Sequence, residues 1–126
     1  MHMAVMKAVK VTTENELSVV DLEREPDGTL YKALRKEFGG NVEHVRLYGY
    51  RPYCLIIDET GRLKGLPANK AASWLYRGQG RSEKIVGPAL VLKETVTGDG
   101  DIDVEGLDDE ECRAISHRLA MVIKTE

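Results

Sequence analysis

Aromatic and basic side chains crowd together between Tyr48 and Lys84 of this 126-residue chain. Tyr48, Tyr50, Tyr53, Trp74 and Tyr76 are five of its seven aromatic residues, the others being Tyr31 and Phe38. From Arg62 to Lys84, six cations (Arg62, Lys64, Lys70, Arg77, Arg81, Lys84) stand with one anion, Glu83, a local charge of +5. From Glu94 to Glu111 there are nine acids and no cation, a local charge of −9. The net charge of −3 conceals this polarity. Rings interleaved with cations can stack a flat ligand, at ~1–3 kcal/mol per base for a nucleic acid, while the cations hold its negative charge. The candidate ligand-binding residues are therefore Tyr48, Tyr50, Arg51, Asn69, Lys70, Tyr76, Arg77 and Arg81.

Each candidate also has a structural reading. Asn69 follows Gly65-Leu66-Pro67 and suits the cap of a helix, where its side-chain oxygen accepts a backbone N–H. Lys70 would stand at that helix's open N-terminus, which favours a phosphate or carboxylate. Tyr48 and Tyr50 alternate around Gly49 and share one face. They serve either as stacking platforms or as sheet residues with buried rings and wet hydroxyls. Tyr53 is expected to bury its ring in a strand, and Trp74 to anchor a core, since its large apolar area rewards burial. Tyr76 and Arg77 are expected to be exposed. Arg77-Gly78-Gln79-Gly80-Arg81 lacks the third glycine and the strand-to-helix crossing of a dinucleotide fingerprint.

Catalytic and metal chemistry find little support. His44 and His117 have no ligand-spaced His, Cys or acid, and no nucleophile is paired with either by motif. Ser18, Ser73, Ser82 and Ser116 lie outside any nucleophile elbow. Asp99, Asp101, Asp103 and Glu110 mimic calcium-loop positions, but Val104 replaces the required turn glycine, so a solvated acidic surface is the better reading. Cys54 and Cys112 sit in apolar patterns without CxxC spacing and read as two buried, reduced thiols. No catalytic residue, metal or cofactor is expected.

The elements that would position the basic-aromatic stretch can be read from periodicity. Met6–Thr12 and Leu17–Leu22 are β-branched runs around a polar turn and predict a hairpin. Glu25-Pro26-Asp27-Gly28 breaks the chain; a helix follows over Thr29–Phe38, stopped by Gly39-Gly40. Val42–Leu47 and Tyr53–Ile57 read as strands. Asp58-Glu59-Thr60-Gly61 suits a hairpin loop that returns Arg62–Leu66 as a partner strand. A short helix spans Asn69–Arg77. Ile85–Thr95 is a strand with a bulge or edge at Gly87-Pro88, because proline has no N–H to donate. A last helix runs over Asp108–Leu119, with Asp108 and Glu111 forming a capping box and Cys112, Ile115, Leu119 and Val122 an apolar stripe. The prediction is an α+β fold with a mostly antiparallel sheet, two main helices and one short one. Met1-His2-Met3 reads as a cloning remnant, residues 1–5 as a disordered start, and 6–126 as a single domain. No apolar run approaches the ~20 residues that span a bilayer, so no membrane partner is expected.

The chain resembles the phage- and plasmid-borne family labelled domain of unknown function 3846. The resemblance rests on Met6-Lys7-Ala8-Val9-Lys10-Val11, on Phe38-Gly39-Gly40-Asn41-Val42-Glu43-His44-Val45, and on the run from Asp58 through Gly65-Leu66-Pro67-Ala68-Asn69-Lys70. Ile85-Val86-Gly87-Pro88-Ala89-Leu90-Val91 and Gly106-Leu107-Asp108-Asp109-Glu110-Glu111 extend it over nearly the whole chain. Gly-Leu-Pro-x-Asn-Lys is its most specific element. The resemblance implies a small protein of mobile genetic elements acting inside a bacterial or archaeal cell, and implies no activity. Trp74–Lys84 departs from the group in being more basic and aromatic.

Three functions fit the pattern. The first is a non-catalytic binding protein, in the host cytoplasm, holding an anionic small molecule or an acidic host protein on the 48–84 surface. The second is a nucleic-acid binder, which the patch favours and the pI of about 5.7 opposes. The third is a self-assembling accessory protein, as a homodimer or otherwise, whose positive and negative faces pair between copies.

Overall fold

In the computed structural model the described residues are 5–26, 30–76 and 84–125, without the Tyr48 side chain. Six strands form one sheet: β1 (Val5–Val11), β2 (Leu17–Glu23), β3 (Val42–Arg46), β4 (Tyr53–Asp58), β5 (Ala89–Val96) and β6 (Ile102–Glu105). Their order is β2-β1-β5-β4-β3, with β6 also paired to β5, and every pairing is antiparallel. Three α-helices join them: α1 (Tyr31–Phe38), α2 (Lys70–Tyr76) and α3 (Asp109–Thr125). This is the α+β fold that the sequence predicts. β1 begins at Val5, paired with Glu23, one residue before the expected start of the domain.

The period-2 alternation of the strands sorts their side chains onto two faces, and each face has its own core. Val9, Val91, Leu55 and Val45 lie in one cross-strand row. They pack beneath α2 and α3, against Ala72, Leu75, Leu119 and Val122. On the opposite face Leu90, Leu92, Cys54, Ile56 and Ala8 pack beneath α1 through Leu30 and Leu34. β4 and β5 are thus covered on both sides, which explains their nearly unbroken apolar runs.

Local signals set the ends of the helices. α1 stops where Gly39 takes φ +72° and donates to the Arg35 carbonyl, a conformation that favours glycine. The expected cap, Thr29, lies outside the described residues. α3 starts with the expected capping box: Glu111 N–H donates to Asp108 Oδ1 at 2.7 Å, and Asp108 N–H to Glu111 Oε1 at 3.0 Å. The helix runs six residues beyond the predicted Leu119, to Thr125. Pro88 precedes β5 rather than interrupting it, and Val86 makes only an isolated bridge to Ala68.

The partner strand expected at Arg62–Leu66 does not exist. Asp58 captures the chain instead, its Oδ1 accepting the Thr60 N–H at 2.9 Å and the Thr60 hydroxyl at 3.0 Å. Lys64 N–H then donates to Thr60, Gly65 N–H to Arg62 and Leu66 N–H to Gly61, a coil of consecutive turns. β4 has no edge left for a further strand, because β3 and β5 already flank it.

Candidate functional site

The chain's polarity becomes spatial along β5. Its start lies beside the turn that carries Arg62 and Lys64. Its far end carries the β6 hairpin with Asp99, Asp101 and Asp103. Lys64 Nζ is paired to Asp58 at 2.7 Å, and the Arg62 guanidinium donates to the Lys84 carbonyl. Lys64's hydrogen bond, the largest cause, and the two Thr60 hydrogen bonds hold the Asp58 carboxyl below its ordinary range, against the opposing effect of burial. These two basic residues therefore shape the turn.

The aromatic candidates assemble elsewhere, where the 3-10 turn Tyr48–Tyr50 meets α2 and α3. The Tyr50 and Trp74 rings are half-buried, with centroids 6.0 Å apart and planes inclined at 44°. The Arg118 guanidinium lies 5.6 Å from the Tyr50 centroid and 5.9 Å from that of Trp74, within cation–π range of both. Lys70 is four residues before Trp74 and shares its side of α2. Arg51 directly follows the turn. Lys70, Arg51 and Arg118 are all exposed, and none is ion-paired to a carboxylate among the described residues. Trp74 does pack against the core as expected, yet one part of its ring system stays at the surface.

Two candidates take structural roles instead. Asn69 is wholly buried, and its amide donates to the carbonyls of Val11 at 3.0 Å and Gly87 at 2.9 Å. Its Oδ1 accepts the Ala72 N–H at 3.1 Å, the N-cap bond of α2. Asn69 thus ties α2 to β1 and to the approach of β5, and cannot reach a ligand. Tyr76, expected to be exposed, is 8% exposed and belongs to the α2–α3 core, because its position on α2 turns it inward beside Leu75. Arg77 and Arg81 lie outside the described residues, as does the Tyr48 side chain.

One polar cluster has no counterpart in the sequence reading. Glu94, its side chain 8% exposed, faces the α1 side of the sheet. His44 Nε2 lies 2.7 Å from Glu94 Oε2, and Arg46 Nε lies 3.1 Å from the same oxygen. His44 and Arg46 alternate on β3, and Glu94 is two strands away on β5, so only the register across β4 brings them together. Cys54 lies opposite Arg46 in that register, and its thiol is pushed up to about 12, first by burial and then by the Glu94 charge, with Arg46 opposing. A second network joins the sheet to α3. Lys93 Nζ is 2.9 Å from Glu111 Oε1, the oxygen that closes the capping box. That hydrogen bond is the main cause of Lys93's raised pKa. Cys54 and Cys112 are both buried, form no disulfide, and belong to the two opposite cores.

Among the described residues, no group of three or more His, Cys, Asp or Glu side chains could hold a metal ion. None of their helices is long and apolar enough to cross a membrane.

The fold and its two-sided sheet define an α+β domain, and sequence comparison places it further. A family model described as a domain of unknown function (DUF3846) matches residues 6–119. The chain belongs to that family. No curated protein matches it. Among solved structures it is similar to one titled "Crystal structure of small RNA methyltransferase HEN1", with a TM-score of 0.63 and 14% identity. The alignment covers 95% of this chain and 16% of that one, so the likeness is one of fold, to a small part of a much longer protein.

Proposed function

We propose that the protein is a non-catalytic binding protein of a phage or mobile element, acting in the host cytoplasm and holding an anionic partner. That partner is a nucleotide-like small molecule or an acidic host protein. Tyr50, Arg51, Lys70, Trp74 and Arg118 form the receiving surface, with Tyr48, Arg77 and Arg81 next to it in the chain. One observation carries the reading: the Arg118 guanidinium lies over two half-buried rings with no carboxylate paired to it among the described residues. A cation that the fold does not neutralise keeps its charge for an outside group. Flat rings beneath it suit a base or another planar anion.

Trp74 is the sole tryptophan, so its fluorescence reports this surface directly. Adenosine diphosphate is expected to change the emission saturably, with affinity falling as salt rises, because exposed charges are screened beyond ~8 Å at physiological ionic strength. Lys70→Glu with Arg118→Glu should weaken binding by about tenfold or more. Binding that ignores both salt and these substitutions defeats the reading. Native mass spectrometry and absorbance at 260 nm of the purified protein separate a retained nucleotide from nucleic acid and from a self-oligomer.

Nucleic acid is the second reading. The surface has the ring-and-arginine chemistry of single-strand binders, and a protein of similar fold is titled a small RNA methyltransferase. The nine acids of 94–111 and the pI of about 5.7 weigh against it.

A further inference from the structure

The two ends of the sheet differ. At one, β3 sets Glu43, His44 and Arg46 among five residues, a charged edge of the kind that discourages further pairing. At the other, β2 pairs with β1 alone among the described residues, through seven consecutive positions without bulge or proline. Thr12 N–H donates to the Glu16 carbonyl at 3.0 Å, and the hairpin register alternates from that pair. Ser18, Val20 and Leu22 therefore bond inward to β1, while Leu17, Val19, Asp21 and Glu23 turn their backbone groups outward. A regular edge of this length is a template for another strand. Val19 adds an apolar side chain, 48% exposed, on the same side as its register partner Val9.

The residues of β2 fit a second β2. A strand added by a two-fold axis runs antiparallel to the first. With the axis at Val20, the middle of β2, all seven residues pair. Val20 meets Val20 of the other copy, Val19 meets Asp21, Ser18 meets Leu22, and Leu17 meets Glu23. No like charges face each other, and just beyond each strand end Arg24 comes opposite Glu16 of the other copy. Neighbouring registers fit less well. An axis at Asp21 sets that carboxylate against itself, at a cost in any sheet. An axis at Val19 runs Glu23 onto Asn15, where φ +65° has already turned the chain away. Lys32 adds a further match. It is exposed, in no ion pair among the described residues, and lines the α1–β2 groove beside Glu23 and Glu25. That is the end of β2 at which Glu16 of the other copy arrives.

We propose that β2 is a dimer interface, joining two copies of this chain antiparallel about Val20 into one continuous sheet. One strand per copy makes a small interface, so the dimer forms reversibly and weakly. It does not use the basic-aromatic surface and does not depend on the reading given to that surface.

Sedimentation equilibrium of the intact chain, from about 10 μM to about 1 mM, should show the mass rising from 14.0 kDa toward twice that value. Glu16→Lys and Arg24→Glu should each weaken association about tenfold, since each spoils two exposed charge pairs per dimer at roughly threefold apiece. Combining them restores both pairs with the signs exchanged and should recover the original association. Glu16 and Arg24 of one copy stand about 26 Å apart along an extended strand, so that recovery cannot arise within a copy. Mild oxidation should link Val20→Cys into a disulfide dimer, because the paired Cα atoms lie about 4.5 Å apart. Ser18→Cys, four positions out of register with itself, should not link. A monomeric mass at every concentration overturns the proposal. So does a combined variant no better than the single ones, or linkage at Ser18→Cys in place of Val20→Cys. A dimer dissolved by Lys70→Glu with Arg118→Glu overturns it equally, by moving the contact to the basic-aromatic surface.

Discussion

Arg46 and Arg118 stand on opposite sides of the same sheet and use their charge in opposite ways. Arg46 is paired to a buried carboxylate, Glu94, that also holds His44. Arg118 is exposed and rests on the Tyr50 and Trp74 rings, with no carboxylate paired to it among the described residues. A buried charge must be matched inside the protein, because desolvating it alone costs several kcal/mol. A charge that rests on aromatic faces is partly stabilised yet stays accessible to an outside anion. The first arrangement keeps the fold specific; the second leaves a surface electrically incomplete. Function is therefore read more safely from the cation the fold leaves unmatched than from the one it matches.

The contrast can be broken most sharply at Cys54, beneath the matched cluster. A thiol pushed up to about 12 carries about a thousandfold less thiolate than one at its ordinary value of 9.0. Alkylation by iodoacetamide at mildly alkaline pH should therefore be slower by at least that order in the native protein than after unfolding. Fast native modification would show that the cluster opens to water.

Glu94→Ala comes next. Removing one partner of a buried ion pair costs ~3–5 kcal/mol. Screening of the 36%-exposed Arg46 side chain lowers the expectation to about 2 kcal/mol. Urea unfolding should show a lower midpoint, and an unchanged midpoint would reduce the cluster to an ordinary solvated pair.

Lys70→Glu with Arg118→Glu sharpens the other half of the comparison. Stability should fall by no more than about 1 kcal/mol, since both residues are exposed and what is lost is the contact of Arg118 with the two rings. Affinity for adenosine diphosphate should fall by about tenfold or more, the worth of one charged hydrogen bond. A large loss of stability with unchanged affinity would reverse the roles assigned to the two sides.

The smallest effect is expected at Lys64→Met. Asp58 has a lowered folded pKa, so its contribution to stability is present above the ordinary carboxylate range and is lost as pH falls through the folded value. Lys64 is half-exposed, and its loss should cost no more than about 1 kcal/mol near neutral pH and progressively less on acidification. Unfolding midpoints measured from neutral to about pH 3 would show the two curves converging.

The fold was legible in the sequence wherever a single segment carries its own signal. The β1–β2 hairpin, the Gly39 stop, the Asp108–Glu111 box and the Pro88 break all depend on neighbours within a few positions. The expected strand at Arg62–Leu66 failed because occupancy of both β4 edges is a property of the assembled sheet. The site was less legible for the same reason. His44 and Glu94 are fifty positions apart and meet only through the register of β3, β4 and β5. Arg118 carried no signal beyond its place on α3, and Trp74 was expected in the core; of that surface the sequence offered only Tyr50, Arg51 and Lys70. Asn69 stood out correctly as special, but for a core role: a polar residue wholly enclosed and fully bonded gives the same sequence signal as one reserved for a ligand.

The place of β5 in the sheet constrains how the molecule can be made. β5 is fifth in the chain but central in space, and it alone joins the β1–β2 hairpin to the β3–β4 hairpin. A nascent chain that has not yet delivered Ala89–Val96 holds two separate hairpins, each with an apolar edge that lacks its neighbour. Closure of the sheet must wait until Ala89–Val96 has left the ribosome, and truncations before that point should be aggregation-prone rather than partly folded.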